Sequence, residues 1–366
     1  MDFDERIYQV ALSLLPGIGP VTSKKLVHQF GTAKEVFRQK KKILVQVPYV
    51  NDAVVEAIRN AELLRRAEKE IAFAEKKGIR ILFYNDDDYP ERLRQCYDSP
   101  AVLFYEGNAK LSHRRIVGIV GTRKVTAYGE MLTKKLVETL SAHDVLIVSG
   151  LAYGVDILAH REALENNIPT IGVLAHGLDT LYPHAHKSTA RKMVENGGLL
   201  CDYPSGTKPD KENFPMRNRI VAGLCDALVV IESGESGGSL ITAEFANNYN
   251  RDVFAFPGRI GDAASAGCHR LIKTHRAHLI ESAEDMLKMM GWVEMTRRTP
   301  KQSALAIPLE ENEERVIGVL REKENAHADE IVAVTGLEPG KVATALLGLE
   351  FAGLVKALPG KLYCCC

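Results

Sequence analysis

Four glycine-bearing segments of the sequence have the composition of anion-binding loops. They read GIVGTRKVTAYG from residue 118, VSGLAYGVD from 148, LAHGLDTLYPHAHK from 174 and ESGESGGSLITA from 232. Glycine lets the backbone approach a ligand closely. Three of the segments lead directly into a predicted helix, whose N-terminus offers free N–H groups to an anion. Together they predict a site for a phosphate or a similar anion.

The segment FPMRNRIVAGL adds basic side chains to these loops. Pro215 suits the first position of a helix, and the apolar residues that follow it recur at helical spacing. Arg217 and Arg219 then fall in the first turn, where the helix dipole disfavours each cation by about 0.3–1 kcal/mol. The sequence favours a phosphate bound between these arginines and the helix end. The alternative is a structural ion pair with Asp210 or Glu212.

An aromatic residue beside these cations points to a nucleic-acid strand as the ligand. Phe214 directly precedes the predicted helix, Lys211 lies on the same approach, and Arg123 belongs to the first glycine segment. An aromatic ring stacks on a base for about 1–3 kcal/mol, and a guanidinium group matches a phosphate. The alternative for Phe214 is a hydrophobic staple that fixes the entry of the chain into the helix.

The elements that must hold these loops form an α/β pattern between about residues 111 and 292. Helical patterns there separate six short apolar stretches: IVGIV, VLIVS, TIGVLA, LLCDY, ALVVIE and VFAFP. Continuously apolar strands are buried on both faces, which predicts a mostly parallel, Rossmann-like sheet covered by helices. Ligands of such sheets bind at the carboxyl ends of the strands, where the glycine segments lie.

Two further regions flank the predicted sheet. Residues 1–110 are mostly helical, and LLPGIGPVTSKKLVHQFG has the pattern of a helix-hairpin-helix, with a degenerate second copy at VPYVNDAVVEAI. We favour a packing role over DNA contact for this region. Residues 293–308 are polar and predict a linker. Residues 309–366 show three helical patterns and a hairpin, which predict a winged helix. Its presumptive recognition helix carries only Lys341 and Glu350 as charges, which favours a structural or protein-binding role.

Composition limits the function classes. The 366 residues include 47 basic and 47 acidic side chains, so a polyanion site must be a local patch. We find no signal segment and no apolar run near 18 residues, and expect no membrane contact. Scattered cysteines without metal-ligand spacing predict a reducing cytoplasm and no metal site. We interpret the terminal Cys364–Cys366 as an exposed tail rather than a metal or redox site.

Seven motifs in a fixed order resemble one known family. GTRKVTAYG, VSGLAYGVD, HGLDTLYP, FPMRNRIVAGL, SGGSLITAEFA, RDVFAFPG and SAGCHRLI are similar to segments of the DNA processing protein A family (DprA/Smf). The resemblance implies a dimeric, non-enzymatic protein without a cofactor that binds and protects single-stranded DNA and loads RecA during natural transformation. It also implies the residues of the DNA site, which are Arg123, Lys187, Lys211, Phe214, Arg217, Asn218 and Arg219, with Gly150, Gly237, Gly238 and Ser239 as backbone donors.

Two other functions compete with this interpretation. The first is a phosphoribohydrolase similar to the LOG family, because GGSLITAE with Glu244 loosely matches that family's P-G-G-x-G-T-x-x-E motif. However, Leu240 and Ile241 replace its second Gly-Thr pair, and FPMRNR lacks the acidic residue of its partner motif. Neither a G-x-G-x-x-G nor a P-loop pattern is present. The second is a regulator that binds double-stranded DNA through the winged helix. Under this hypothesis, deletion of the residues from about 305 onward should abolish DNA binding by the protein.

Overall fold

A computed structural model describes residues 3–293, 309–323, 325–358 and 362–365. The chain forms two compact units, Met1–Glu294 and Met295–Cys366. The predicted linker at 293–308 lies outside the described residues from 294 onward, as does Cys366.

The first unit begins with six helices. They are α1 (Phe3–Ser13), α2 (Pro20–Phe30), α3 (Ala33–Arg38), α4 (Lys41–Leu44), α5 (Asp52–Arg59) and α6 (Ala61–Lys77). The glycine-rich turn of the predicted hairpin separates α1 from α2, and Pro20 occupies the first position of α2. The side chains of Thr32, Asn51 and Asn60 cap α3, α5 and α6 by accepting backbone N–H groups. Helices therefore flank both of the turns at which the sequence predicts hairpins.

A nine-stranded sheet occupies the centre of this unit. Its strands are β1 (Arg80–Phe83), β2 (Val102–Gly107), β3 (Ile116–Val120), β4 (Leu146–Ser149), β5 (Thr170–Val173), β6 (Gly197–Cys201), β7 (Ala227–Val230), β8 (Asp252–Ala255) and β9 (His278–Leu279). Their order is β1-β2-β6-β5-β4-β3-β7-β8-β9. The pairs β1–β2 and β2–β6 are antiparallel, and every other pair is parallel. This confirms the predicted mostly parallel class.

Among the described residues, eight α-helices and a short 3-10 helix (His184–His186) accompany the sheet. The α-helices are α7 (Glu91–Arg94), α8 (Ala127–Leu140), α9 (Val155–Glu165), α10 (Lys187–Glu195), α11 (Asn213–Leu224), α12 (Gly238–Asn248), α13 (Ala266–Lys273) and α14 (Ala283–Met289). Alternate residues of β3 contact opposite layers. Val117 packs with Leu136 of α8, whereas Ile116 packs with Val221 of α11. Both faces of the sheet are thus buried, which explains the continuously apolar strands.

Strands β1 and β2 correct the predicted boundary between the helical region and the sheet. They lie within residues 1–110, which the sequence predicts as mostly helical, so the sheet starts at Arg80 rather than near residue 111. The two strands are short, and the 17-residue amphipathic helix α6 precedes them, so helical periodicity dominates that part of the sequence.

Helix α11 corrects a second expectation. It begins at Asn213, so Pro215 is its third residue rather than its first. The first four N–H groups of a helix lack internal partners, so proline is tolerated there without loss of a hydrogen bond. Arg217 and Arg219 consequently lie in the second turn, where the dipole effect has faded. Their placement therefore requires another explanation.

The second unit contains α15 (Glu311–Glu322), α16 (Ala328–Thr335), α17 (Pro339–Phe351) and strands β10 (Ala326–His327), β11 (Val355–Leu358) and β12 (Leu362–Cys365). The strands form a small sheet in the order β10-β12-β11, as a winged helix requires. In the described part of the chain, no single helix is long and apolar enough to cross a membrane. Among the described helices, α16 and α17 reach the required length and apolar composition only when they are taken together, and the chain bends by 113° between them.

Candidate nucleic-acid interface

A cleft of about 690 Å³ opens at the carboxyl edge of the parallel strands. It lies beyond the ends of β3 and β7, which are neighbours in the sheet although far apart in sequence. Strands β4, β5 and β6 extend the sheet from β3 towards one edge, whereas β8 and β9 extend it from β7 towards the other edge. The strand order thus reverses between β3 and β7, at what is called the topological switch point. The loops on its two sides diverge there and leave a crevice for a ligand.

The cleft gathers most of the site residues expected from the sequence. Those lining it are Arg123, Gly150, Lys211, Phe214, Arg217, Asn218, Gly237, Gly238 and Ser239. They come from the loops after β3, β4 and β7, from the start of α12, and from α11 with its preceding loop. Residues separated by more than 100 positions in the sequence thus meet in one basic, glycine-rich cleft.

The glycine loop after β7 is held against α11. Helix α12 starts at Gly238, whose carbonyl oxygen accepts a hydrogen bond from Asn218 Nδ2 at 3.1 Å. Ser239 Oγ donates to Ser233 Oγ at 2.9 Å. These contacts fix the start of an 11-residue helix at the cleft wall. Its first N–H groups have no partner within the helix and are suited to an anion.

Arg217 lies in the cleft wall and is only 4% exposed. Its Nη1 donates to the carbonyl oxygen of Val173, and its Nε has no hydrogen-bond partner among the described residues. Burial lowers the pKa of Arg217, and the carboxylate of Asp156 opposes that shift. An unsatisfied buried donor costs about 1–3 kcal/mol. Because Arg217 lines the cleft, its positive charge acts on any anion bound there.

Asp156 places a carboxyl group in the same wall. Burial raises its pKa, and Arg217 acts against this effect. A side chain at Gly150 would collide with both Asp156 Oδ2 and Arg217 Nη1. Gly150 is therefore required by the close packing of these two groups, in addition to any donor role of its backbone.

Arg219 faces away from the cleft, contrary to the expectation that it lines the site with Arg217. It forms an ion pair of 2.6 Å with Asp202 and donates to the carbonyl oxygen of Asp98. Residues two apart in a helix project to nearly opposite sides. The alternative of a structural ion pair is thus correct for Arg219, with Asp202 in place of the predicted carboxylates.

Lys187 also lies outside the cleft. It lines a separate cavity of about 380 Å³ together with Arg191 of the same helix and His184. The apolar side chains of Leu174 and Leu199 contribute to that cavity. The structure therefore groups Lys187 with α10 and the loop after β5, and not with the loops after β3 and β7.

Aromatic and guanidinium groups cluster at one end of the cleft. The Arg123 guanidinium carbon lies 5.3 Å from the centre of the Phe214 ring, within cation–π distance. The Tyr182 ring lies 6.1 Å from that of Phe214. Phe214 thus belongs to a group of neighbouring rings and a cation at the cleft, which goes beyond a hydrophobic staple.

Glu232 supports the cleft and is absent from the sequence-based site. It is fully buried two residues after β7, and its carboxylate accepts hydrogen bonds from Thr126 N at 3.0 Å and from Thr126 Oγ1. Its carbonyl oxygen accepts from Thr122 N at 2.8 Å. These bonds lie on both sides of Arg123 and fix its loop. An acidic residue that ends an apolar strand, as in ALVVIE, is the signal that indicates such a role.

Replacing Glu232 by alanine is expected to lower the free energy of unfolding by about 1–3 kcal/mol, because two partly buried donors of Thr126 lose their acceptor. Urea unfolding measures this change. Glu232→Gln retains one acceptor oxygen and should lose less. The exposed Glu165→Ala serves as the control. Equal stability of Glu232→Ala and the control would contradict the role assigned to this carboxylate.

The helical region supports the other side of the cleft. Glu70 of α6 is buried and accepts hydrogen bonds from Ser205 N at 2.8 Å and Ser205 Oγ at 2.6 Å. Arg66 pairs with Glu70 at 2.9 Å and donates to the carbonyl oxygen of Ser205. This loop continues to Lys211, so α6 helps to position a basic residue of the cleft. Sequence reasoning misses the contact because its partners are 135 residues apart.

Comparisons with known proteins agree with this architecture. A family model described as DNA recombination-mediator protein A matches residues 80–291. A DprA winged-helix model matches residues 300–361, and a SAM-like helix-hairpin-helix tandem model matches residues 10–61. The recombination-mediator model starts at residue 80, the first residue of β1, which lies within the region that the sequence predicts as helical.

Individual relatives support the same assignment. The chain is 33% identical to protein Smf of Synechocystis, over 98% of both chains. It resembles the X-ray structure of DNA processing protein A from Streptococcus pneumoniae with a TM-score of 0.62 and 33% identity, over 78% of this chain and 98% of that one. It also resembles DNA processing protein A from Helicobacter pylori, with a TM-score of 0.53 and 29% identity, over 58% and 96% of the two chains. That structure was solved to describe a single-stranded DNA binding mode.

The ordered motifs, the strand order with its cleft at the switch point, and these matches lead to one assignment. The chain belongs to the DNA recombination-mediator protein A family, also called DprA/Smf.

Proposed function

We propose that the cleft binds single-stranded DNA through the sugar–phosphate chain with little reading of sequence. The observation that carries this proposal is that Arg123, Lys211 and Arg217 line one cleft together with Phe214, whose ring centre lies 5.3 Å from the Arg123 guanidinium carbon. Cations bind phosphates of any sequence, and an aromatic ring stacks on a base only when that base is unpaired. The Helicobacter pylori relative, described by its single-stranded DNA binding mode, supports the same ligand.

The cleft supports binding better than hydrolysis. Among the described residues that line it, Asp156 is the one carboxylate, and it packs beside Arg217. Glu244, on which the phosphoribohydrolase alternative depends, lines a neighbouring cavity instead. We therefore propose a non-enzymatic role. Release of free base from adenosine nucleotides on incubation with the protein would contradict it.

The family membership supports a wider proposal about the biological role. We infer that the protein protects incoming single strands and passes them to RecA in natural transformation, and that it acts as a dimer through the core. The cysteines of the first unit are free and buried, which supports a reducing cytoplasm as the location. Co-sedimentation of RecA with the protein on single-stranded DNA tests the partnership, and light scattering tests the dimer.

Replacing Phe214 by leucine is expected to weaken single-strand binding by about 1–3 kcal/mol, because leucine fills space but cannot stack on a base. The dependence of log K on log salt should keep its slope, since stacking releases no counterion from a phosphate. Fluorescence anisotropy with a labelled oligonucleotide at several salt concentrations measures both quantities. Unchanged affinity, or a flatter slope, would contradict the stacking role.

A further inference from the structure

We propose that Tyr182 is a second base-stacking residue of the cleft, beside Phe214, so that two neighbouring bases of one strand stack there. This inference rests on the single-strand binding proposed above and adds a subsite to it. The chemical class of its ligand is an unpaired nucleobase.

The fold places Tyr182 at the same edge of the sheet as the rest of the site. It belongs to the loop that follows β5, and it lines both the cleft and a small side cavity behind Phe214. The residue is 47% exposed although its ring is large and apolar. Its ring centre is 6.1 Å from that of Phe214, with 59° between the two planes. Two tilted neighbouring rings offer separate surfaces to two bases.

The surroundings of Phe214 make a second ring necessary if more than one base is to stack. The guanidinium of Arg123 lies over the Phe214 ring, so one face of that ring is already covered. Tyr182 carries no such cover from a cation among the described residues. The ring is therefore free to take a ligand.

The backbone of Tyr182 is held in place even though its ring is exposed. Its N–H donates to His176 Nε2 at 3.2 Å, and His176 Nδ1 lies 2.9 Å from the carbonyl oxygen of Gly177. One neutral tautomer, with the proton on Nδ1, satisfies both contacts of this buried imidazole. A fixed backbone lowers the ordering cost when a base binds. The exposed ring of Tyr182 is thus attached to a backbone that is already fixed before a base binds.

The test uses the full chain and oligonucleotides that carry 2-aminopurine, whose fluorescence falls on stacking, at one or two adjacent positions. Tyr182→Leu keeps an apolar side chain of moderate size but removes the π-face. We expect a loss of affinity of roughly 5- to 150-fold with an unchanged salt slope. The quenching of one of the two adjacent probes should disappear. Tyr182→Phe should retain wild-type affinity and quenching of both probes.

Tyr97 provides the matched control, because it is 68% exposed and does not line the cleft. Tyr97→Leu should bind as the wild type does. If Tyr182→Leu matches Tyr97→Leu while Phe214→Leu binds weakly, the Tyr182 subsite is wrong and the binding function stands. If the wild type binds no single strand, the proposed function itself fails. Thermal unfolding of each variant confirms that the compared proteins are folded.

Discussion

Replacing Arg219 by alanine is expected to lower the free energy of unfolding by about 3–5 kcal/mol, because it leaves Asp202 buried without its partner. The two side chains are 6% and 13% exposed. Burial raises the pKa of Asp202, and Arg219 is the main group that opposes this effect. The same variant should keep the salt slope of DNA binding, since Arg219 does not line the cleft. Urea unfolding and an anisotropy titration provide the two measurements.

Arg65 offers a matched control for this experiment. It forms an ion pair with Glu62 on the surface of α6, and both side chains are about two-thirds exposed. Pairs of this kind contribute about 0.3–0.5 kcal/mol. Arg65→Ala should therefore lose far less stability than Arg219→Ala. A similar small loss in both variants would show that the buried pair does not stabilise the fold in this way.

Replacing Arg123 by alanine is expected to weaken single-strand binding by about 1.5–3 kcal/mol, the range for a hydrogen bond to a charged group. The slope of log K against log salt should become shallower by about 0.7 for each phosphate that the variant no longer neutralises. Arg123 is exposed at the cleft, and its one described contact is with the ring of Phe214. The variant should unfold close to the wild-type urea concentration, because this exposed guanidinium makes no hydrogen bond among the described residues and acts on the buried Asp156 and Arg217 only as a secondary charge.

The contrast between Arg123 and Phe214 distinguishes charge from stacking. Both variants should lose affinity, but only the arginine variant should change the salt dependence. Arg65→Ala again serves as the control, because it removes the same charge from a residue that does not line the cleft. If Arg123→Ala binds with wild-type affinity and slope, phosphate contact by the loop after β3 is excluded.

Sequence patterns predicted the central part of the fold because buried parallel strands leave a distinct signal. Continuously apolar stretches such as IVGIV and ALVVIE became β3 and β7, and the glycine segments after them became the cleft wall. The antiparallel strands β1 and β2 were missed. They are short and lie next to a long helix, so their pattern does not stand out from helical periodicity.

The directions of side chains were harder to predict than the elements. The sequence shows Arg217 and Arg219 two positions apart. Because α11 begins two residues earlier than predicted, both arginines lie in its second turn rather than its first. Helix geometry then directs their side chains to nearly opposite sides. The partner of Arg219, Asp202, lies 17 residues earlier on another element. The sequence did not predict the role of Glu232, because this residue comes beside Thr126 only in the folded chain.

One measurement tests the central claim most directly, and it is the titration of the wild-type protein with single- and double-stranded oligonucleotides of one sequence at two salt concentrations. We expect tighter binding of the single strand at both concentrations and a loss of affinity as salt rises, because phosphates meet the basic cleft and unpaired bases meet its aromatic rings. Equal binding of the duplex, or single-strand affinity that does not change with salt, would contradict single-strand binding by this cleft.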